Sequence, residues 1–223
     1  MEIIAHIESD FPEKFGIPRQ SGLVSELKSR IIFEPEYRNP DAFRGLEGFS
    51  HIWILWQFSG TKRHSWSATV KPPRLGGNKR MGVFATRSPF RPNDIGLSSV
   101  RLEAVEFHEE LGPVLHVAGA DLMNHTAIYD IKPYLPYTDS HPDATDGFAG
   151  EVFDYELQVV FPEELLKHLP KEKQEAAIAI LKQDPRPSYQ NIPDRRYGVA
   201  FAGHDIRFTV CDGVLTVCEV VTL

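Results

Sequence analysis

Two arginines, Arg87 and Arg91, lie four residues apart in the segment TRSPFRPNDIG, residues 86–96. Pro89 and Pro92 stiffen this segment, because each proline fixes its own φ and restricts the residue before it. Two cations on a stiff, kinked loop are suited to holding anions. The spacing therefore predicts an anion-binding loop and leaves open which anions it holds.

The charge of the chain is unevenly distributed. Residues 62–101 carry nine Lys and Arg residues and a single acid, Asp94, although the whole chain has a formal net charge of −7. A basic segment on an acidic protein suits a local phosphate-binding face. A solvated basic surface explains the same charges equally well. Charge alone therefore admits a nucleic-acid partner without establishing one.

Composition narrows the class of protein. The chain has 223 residues, of which 42% are hydrophobic and 25% charged, as in ordinary globular proteins. It contains no apolar run long enough to span a bilayer, and MEIIAHIESDF at its start lacks the pattern of a secretory signal. Its two cysteines, Cys211 and Cys218, form no C-x-x-C pair. We therefore expect a cytoplasmic protein with no membrane partner, no disulfide framework and no metal site.

Several common catalytic motifs are missing from the sequence. It has no G-x-G-x-x-G, no Walker A spacing, no H-E-x-x-H and no G-x-S-x-G. These absences argue against a Rossmann methyltransferase, a P-loop kinase, a zinc hydrolase and a serine hydrolase.

Strand patterns dominate the first two thirds of the chain. The apolar run GFSHIWILWQF (48–58) predicts a strand buried on both faces. GLSSVRLEAVEF (96–107) alternates and then changes phase at Val105, which indicates a bulge. Further short strands are predicted at residues 81–86, 113–122 and 128–134. Closely spaced strands with few helices favour a β-barrel or a sandwich.

A domain boundary is predicted in LPYTDSHPDATDG (135–147), which is rich in Pro, Asp, Ser and Thr. We place it after residue 143, so that a β-rich domain spans residues 1–143 and a small α+β domain spans residues 144–223.

The second domain has both strand and helix patterns. FDYELQVVF (153–161) alternates as a strand does, and residues 162–184 form the one clear helical stretch, divided by Pro170. Asp212-Gly213 between two β-rich runs is a strong hairpin signal.

Longer motifs resemble a known family. They are KFGIPRQSG (14–22), LEGFSHIWILWQFSG (46–60), PPRLGGNKRMGVFATRSPFRPNDIGLS (72–98) and GADLMNHTAIYDIKPYLPYTD (119–139). Over nearly its whole length the chain resembles the TsaA-like, or TrmO, family of S-adenosylmethionine-dependent tRNA methyltransferases. DPRPSYQ (184–190) and RRYGVAFAGHDIRF (195–208) are similar to the small second domain of bacterial members. The resemblance implies a mainly β fold with a non-Rossmann β-barrel, a homodimer, and methylation of N6 of the modified adenosine t6A at position 37 of tRNA to give m6t6A.

The resemblance also implies a set of residues that bind the cofactor, S-adenosyl-L-methionine. They are Pro18, Arg19, Gln20, Ser59, Gly60, Arg87, Leu97, His125, Thr126, Ala127 and Ile128. A planar arginine fork can grip the cofactor carboxylate, and Arg19 and Arg87 are the candidates. A surface salt bridge is the alternative for Arg19. Asp94 and Asp10 occupy positions where the family often has proline, which bears on the rigidity of both loops.

A second set of cations is expected to contact tRNA. Its members are Arg74, Lys79, Arg80, Arg91 and Lys132. Arg91 is expected to face RNA phosphate or the carboxylate of t6A, and solvated loop positions are the alternative for Arg74, Lys79 and Arg80.

Methyl transfer to an exocyclic amine requires an aligned nitrogen, an acceptor for its N–H groups and loss of a proton. Asp130 offers a carboxylate acceptor and Tyr134 an aromatic plane for a base, so both are predicted catalytic residues. Alternatively, Asp130 pairs with Lys132 or a nearby arginine and Tyr134 fills the seam between the domains. A non-catalytic RNA-binding module and a protein that senses S-adenosylmethionine are the competing functions.

Overall fold

The computed structural model describes residues 1–58, 66–72, 79–152, 155–186 and 195–223. These residues form a closed six-stranded barrel, a four-stranded sheet and a two-stranded ribbon. The mainly β prediction, with a barrel and a smaller α+β part, is confirmed. None of the helices in the described ranges is long and apolar enough to cross a membrane.

The barrel and the ribbon come from the first 133 residues. In chain order their strands are β1 (Ala5–Glu8), β2 (Lys28–Phe33), β3 (His51–Gln57), β4 (Thr69–Val70), β5 (Met81–Gly82), β6 (Ile95–His108), β7 (Gly112–Ala118) and β8 (Ala127–Pro133). The barrel closes in the order β1-β2-β7-β6-β3-β8 with antiparallel neighbours throughout, and β4 pairs with β5. A closed barrel leaves none of these six strands as a free sheet edge.

Strand β3 lies between β6 and β8 and alternates between the two faces of the barrel wall. Ile52, Ile54 and Trp56 point inward and are buried, whereas His51 on the outer face is exposed. Burial on both faces, as predicted for this run, is therefore wrong. The outer face is covered only in part, for example by Tyr134, whose ring centroid lies 5.5 Å from that of the β3 residue Trp53.

The predicted irregularity in β6 is confirmed. Its register with β7 shifts between Leu102 and Ala104. One extra residue there moves the alternation to the other face, which explains the phase change in the sequence.

The run predicted as a strand at residues 81–86 is a strand only at Met81–Gly82. It continues as a 3₁₀ turn, Val83–Ala85. The remaining short helical segments of this part are 3₁₀ turns at Pro35–Tyr37, Pro40–Phe43, Leu46–Gly48 and Gly147–Val152 and a four-residue helix α1 (Pro136–Asp139).

The C-terminal part is a four-stranded sheet with helices. In chain order it comprises β9 (Gln158–Val160), α2 (Glu163–Leu166), a 3₁₀ turn (Lys171–Lys173), α3 (Gln174–Lys182), β10 (Tyr197–Phe201), β11 (His204–Cys211) and β12 (Val214–Thr222). The sheet order is β10-β11-β12-β9, with β9 parallel to β12. Both cysteines lie on this sheet and are exposed.

Two local predictions for this part are confirmed. Asp212 and Gly213 join β11 to β12 with φ of 48° and 78°, the positive values that a tight hairpin turn requires. The helical stretch is divided at Pro170, as expected. The strand predicted at residues 153–161 extends only over Gln158–Val160 among the described residues, and residues 153–154 lie outside them.

The segment between β1 and β2 packs against the C-terminal sheet. Phe11, Val24 and Leu27 belong to the same hydrophobic core as Phe201, whose ring centroid lies 5.4 Å from that of Phe11. Backbone hydrogen bonds of Gly22 and Leu27 with Gly119 tie the same segment to the barrel. Residues before the predicted boundary thus supply part of the hydrophobic core of the C-terminal sheet. The division after residue 143 stays a prediction.

Because the segment between β1 and β2 contacts both the barrel and the C-terminal sheet, substitution of Phe11 is expected to affect stability. Phe11→Ala is expected to lower the free energy of unfolding by about 3–5 kcal/mol, since it removes a buried ring shared by two parts of the chain. Urea denaturation followed by tryptophan fluorescence measures this. The matched control is Phe107→Ala, which removes a ring that is 60% exposed on β6 and should change stability by less than about 0.5 kcal/mol. Equal effects of the two variants would contradict the assigned role of Phe11.

Candidate functional site

A cavity of about 510 Å³ lies where three loops meet at the ends of β3 and β6. Its walls come from residues 14–20, from residues 86–97 and from residues 121–126, with the end of β3 between them. This volume is in the range typical of sites for small molecules. Seven of the predicted site residues line it: Pro18, Arg19, Gln20, Arg87, Arg91, Leu97 and Thr126.

The other predicted cofactor residues lie elsewhere or outside the described ranges. His125, with a φ of 61°, lines a separate groove that includes Glu8 and Lys173. Ile128 is fully buried in the barrel core and Ala127 is paired with β1. Ser59 and Gly60 are outside the described residues. From the turn 125–128, only Thr126 is among the residues lining the described cavity.

The two arginines of the opening motif have different surroundings. Arg87 is exposed, and its guanidinium donates a hydrogen bond to the side-chain oxygen of Gln20, which joins the two loops. Arg91 is half-buried, and its Nη1 donates to the backbone oxygens of Val83 at 3.1 Å and Thr86 at 2.7 Å. Both arginines line the cavity, and Arg91 also holds the preceding 3₁₀ turn in place.

Arg19 extends from the cavity wall toward the C-terminal part. Its Nη2 donates to the backbone oxygen of Arg186 at 3.5 Å, a long contact. Arg186 is itself buried and forms a two-point ion pair with Asp184 at 2.8 and 3.0 Å. The DPRPSYQ motif thus begins next to the loop of residues 14–20. The two segments are far apart in the sequence, so this proximity could not be predicted from it.

Asp121 is a site residue that sequence reasoning missed. Among the described residues lining the cavity it is the only acid. Ser98 Oγ donates to Asp121 Oδ1 at 2.6 Å and accepts from Trp56 Nε1 at 2.9 Å. Burial raises the pKa of the Asp121 carboxyl, and the Ser98 hydrogen bond and the charge of Arg87 oppose this shift only in part. The signal in the sequence was an acid within the apolar run AGADLM.

At the start of β6, Gly96 packs closely against Trp56 and Leu97 faces the cavity. A Cβ on Gly96 would lie 2.2 Å from the ring of Trp56, so only glycine lets this ring reach Ser98. The next residue, Leu97, is 55% exposed at the cavity. A large apolar side chain exposed in a concave site is suited to contact with a ligand.

The predicted catalytic residues do not line the cavity. Asp130 forms an ion pair with Lys132 at 2.8 Å; the Lys132 side chain is largely exposed and that of Asp130 is partly exposed. Tyr134 packs against His51 and Trp53 on the outer face of β3. The alternative considered for Asp130, a pair with Lys132, is thus present, and the catalytic roles of Asp130 and Tyr134 stay predictions.

Asp139 is a second residue that the sequence analysis overlooked. Its Oδ2 accepts from Trp53 Nε1 and from the backbone N–H of Leu135, both at 2.9 Å. These hydrogen bonds lower the pKa of the Asp139 carboxyl, the backbone one most strongly. Asp139 thereby fixes Trp53, which lines the cavity, against the end of the DIKPYLPYTD motif.

The remaining predicted RNA contacts within the described residues, Lys79, Arg80 and Lys132, lie on the surface. Lys79 and Arg80 are exposed, and Arg80 Nε donates to Thr69 Oγ1 at 2.8 Å across the β4–β5 ribbon. Arg74 is outside the described residues. Within the part of the chain that the structure describes, no three His, Cys, Asp or Glu residues are grouped as a metal site.

Comparison with known proteins adds independent findings. The family model described as tRNA-methyltransferase O N-terminal domain matches residues 6–140, and the TrmO C-terminal domain model matches residues 154–223. A tRNA (adenine(37)-N6)-methyltransferase of Escherichia coli K12 is 43% identical over 219 residues, which are 95% of this chain and 93% of that protein. A protein of the same name from Eikenella corrodens is 45% identical over 74% of this chain and 93% of its own length.

Two further comparisons concern Pseudomonas aeruginosa. A relative whose name includes S-adenosylmethionine-dependent methyltransferase is 40% identical over 92% of this chain and 90% of its own length. A crystal structure of TrmO from this organism superposes with a TM-score of 0.80 at 34% identity and covers 99% of this chain and 95% of the other. With both domain models matched and relatives similar over most of their length, this chain belongs to the tRNA-methyltransferase O (TrmO) family.

Proposed function

We propose that this chain transfers a methyl group from S-adenosylmethionine to N6 of the adenosine at position 37 of tRNA, with t6A as substrate and m6t6A as product. The observation that carries the proposal is a single cavity lined by residues from all four family motifs. Two relatives that match over 93% of their own length and are named tRNA (adenine(37)-N6)-methyltransferases support the reaction class. Action as a homodimer in the cytoplasm is part of the same proposal and rests on the family resemblance.

The residues of the cavity fit S-adenosylmethionine chemically. When bound, this cofactor supplies a methyl group activated by a positively charged sulfur. Its amino-acid end carries a carboxylate and an ammonium, and the cavity offers Arg87 for the former and Asp121 for the latter. The volume of about 510 Å³ and the exposed Leu97 suit the nucleoside end.

Arg87 and Asp121 are held ready for such a zwitterion. Gln20 orients Arg87 by accepting its hydrogen bond, and Ser98 orients Asp121. A buried carboxylate whose pKa is raised is unstable as an anion until a cation reaches it. The ammonium of the cofactor is a cation of the required charge and size, so its binding relieves this unfavourable burial.

Asp130 lies at the edge of the site, two strands away from Leu97. In the barrel register Leu97 on β6 is opposite Leu55 on β3, and Leu55 is opposite Asp130 on β8. Directly opposed residues point to the same face, and neighbouring strands are about 4.8 Å apart, so Asp130 is roughly 10 Å from Leu97 along the outer face. A nucleoside at the cavity mouth can bridge this distance. We therefore retain Asp130 as an acceptor for the adenine amine, with Tyr134 and its neighbour Trp53 as the adjoining aromatic surface.

The reaction itself is tested by transfer of labelled methyl from S-adenosylmethionine to tRNA. We expect label in tRNA that carries t6A at position 37, recovered as a methyl on N6, and none in an unmodified transcript. The carbamoyl-threonyl group adds a carboxylate that the basic loops can hold. Nucleoside analysis by mass spectrometry identifies the product. Equal labelling of both RNAs would contradict the t6A requirement, and label in neither RNA would contradict the proposed reaction.

If Arg87 and Asp121 bind the two charged groups of the cofactor, substitution of either residue should weaken cofactor binding in the absence of RNA. Arg87→Ala and Asp121→Asn should each weaken S-adenosylhomocysteine binding about 10- to 100-fold in calorimetry, as expected for loss of a hydrogen bond to a charged group. With an analogue lacking the carboxylate, Arg87→Ala should have no further effect. With an analogue lacking the amino group, Asp121→Asn should have none. Arg101→Ala, which removes an exposed arginine farther along β6, is the control.

Two further measurements separate a binding role of Asp121 from a structural one. Because its pKa is raised in the folded protein, the carboxylate form that binds ammonium is lost as pH falls through that raised value, and cofactor affinity should fall with it. Asp121→Asn should remove this pH dependence. Its melting temperature without cofactor at pH 7 should not be below that of the wild type, because a buried charge is removed. A large drop in melting temperature would show that Asp121 is structural.

The role of Asp130 is tested with Asp130→Asn beside Lys132→Ala. Both variants break the Asp130–Lys132 ion pair, which is exposed and contributes little to stability. If the carboxylate accepts from the adenine amine, only Asp130→Asn lowers kcat, by about 10- to 100-fold, with cofactor and tRNA affinity unchanged. Full turnover by Asp130→Asn would remove it from the mechanism.

A further inference from the structure

Two large aromatic side chains, Trp66 and Phe84, are exposed together beside the cavity. Trp66 is 51% and Phe84 is 70% exposed, and their rings are stacked, with centroids 6.2 Å apart and planes at 26°. The guanidinium of Arg91, which lines the cavity, lies 5.5 Å from the centroid of the Phe84 ring. The aromatic pair is therefore continuous with the wall of the candidate cofactor site.

The backbone that carries this pair is braced from several sides. Val83, which precedes Phe84, is buried, and its N–H donates to the backbone oxygen of Ala68 at 3.0 Å. Arg91 holds the oxygens of Val83 and Thr86 on the other side. Phe84 thus stands on fixed backbone, and Trp66 lies two residues before Ala68, whose backbone oxygen is bound to Val83.

Two cations lie on the ribbon that joins Trp66 to Phe84. Lys79 and Arg80 are exposed just before β5, and Arg80 is oriented by its hydrogen bond to Thr69. Exposed aromatic rings interleaved with cations are suited to single-stranded nucleic acid, because bases stack on the rings while the cations face the phosphates. A symmetric contact of this patch with a second copy of the chain would instead bring like charges together, which is unfavourable.

We propose that Trp66 and Phe84 form a stacking platform for an unpaired tRNA nucleobase adjacent to the target adenosine, with Lys79 and Arg80 facing the neighbouring phosphates. This inference rests on the proposed function. It adds a contact with the RNA that the proposed function does not include. An enzyme that acts on a base must take that base out of its stack. The neighbouring base then loses a stacking partner, and an aromatic pair fixed at the cavity edge replaces that partner.

The test is the affinity for tRNA of single variants at one fixed salt concentration. Trp66→Ala and Phe84→Ala should each weaken tRNA binding by about 5- to 100-fold, the usual effect of removing one base–aromatic stack. Phe84→Tyr keeps an aromatic plane and should bind within about twofold of the wild type. Phe107→Ala, which removes an equally exposed ring toward the far end of β6, is the matched control and should have no effect.

A direct probe of stacking is 2-aminopurine placed beside position 37 in an anticodon stem–loop. Under saturating conditions its fluorescence should rise more on binding to Phe84→Ala than on binding to the wild type or to Phe107→Ala, because the base that has lost its neighbour is then not restacked on an aromatic ring and quenched. Binding of S-adenosylhomocysteine should be the same for all variants, which separates the platform from the cofactor site.

Two results would overturn the platform. One is unchanged tRNA affinity of both alanine variants, and the other is a change in their native mass, which would make the patch an interface between copies. The proposed function is tested separately by methyl transfer with the wild type in the same preparation. An active wild type with unaffected variants rejects only the platform, whereas an inactive wild type whose variants lose RNA affinity rejects only the reaction.

Discussion

The hydrogen bonds from the Arg91 guanidinium to the backbone oxygens of Val83 and Thr86 are the contact on which the arrangement of the site depends. A charged donor bound to two carbonyl groups closes the chain between them into a fixed turn. On one side of this turn Arg87 reaches Gln20 and the cavity. On the other side Phe84 stands exposed next to Trp66. One half-buried guanidinium thus sets the relative positions of the cavity and of an exposed aromatic surface.

The barrel supplies a rigid wall, and the second part of the chain fixes the loop that faces it. Closure of six antiparallel strands leaves the outer face of β3 and β6 free to present Trp53 and Leu97. The facing loop, residues 14–20, lies within a segment whose flanking apolar residues pack against the C-terminal core. The small C-terminal part therefore has a stabilising role in the cavity, in addition to any contact of its own with RNA. A loop held from both ends loses little conformational entropy when a ligand binds.

Local patterns in the sequence predicted those features that depend on neighbouring residues. The alternation in β6, its bulge, the Asp212-Gly213 hairpin and the break at Pro170 follow from side-chain period, positive φ and proline geometry. The turn Val83–Ala85 was predicted as strand because its conformation is imposed by Arg91, whose bonds follow from tertiary packing. The four-residue strand β1 had no pattern long enough to be recognised.

The residues of the site also fall into those that the sequence predicted and those that only tertiary packing reveals. Motif resemblance brought together Arg19, Gln20, Arg87 and Leu97, which line one cavity although they are up to 78 positions apart in the sequence. The sequence analysis did not predict Asp121 as a site residue, because its importance depends on its burial and on its hydrogen bond with Ser98. Neither can be read from the sequence. Under the proposed function, this acid would let a cavity lined by several cations discriminate among anions. Cations alone would hold any phosphate or carboxylate, whereas a buried carboxylate repels a simple anion and accepts one that carries an ammonium beside it. Under the proposed function, Arg87 and Asp121 together would favour an amino-acid zwitterion over RNA phosphates, and they would keep the two ligands in separate places.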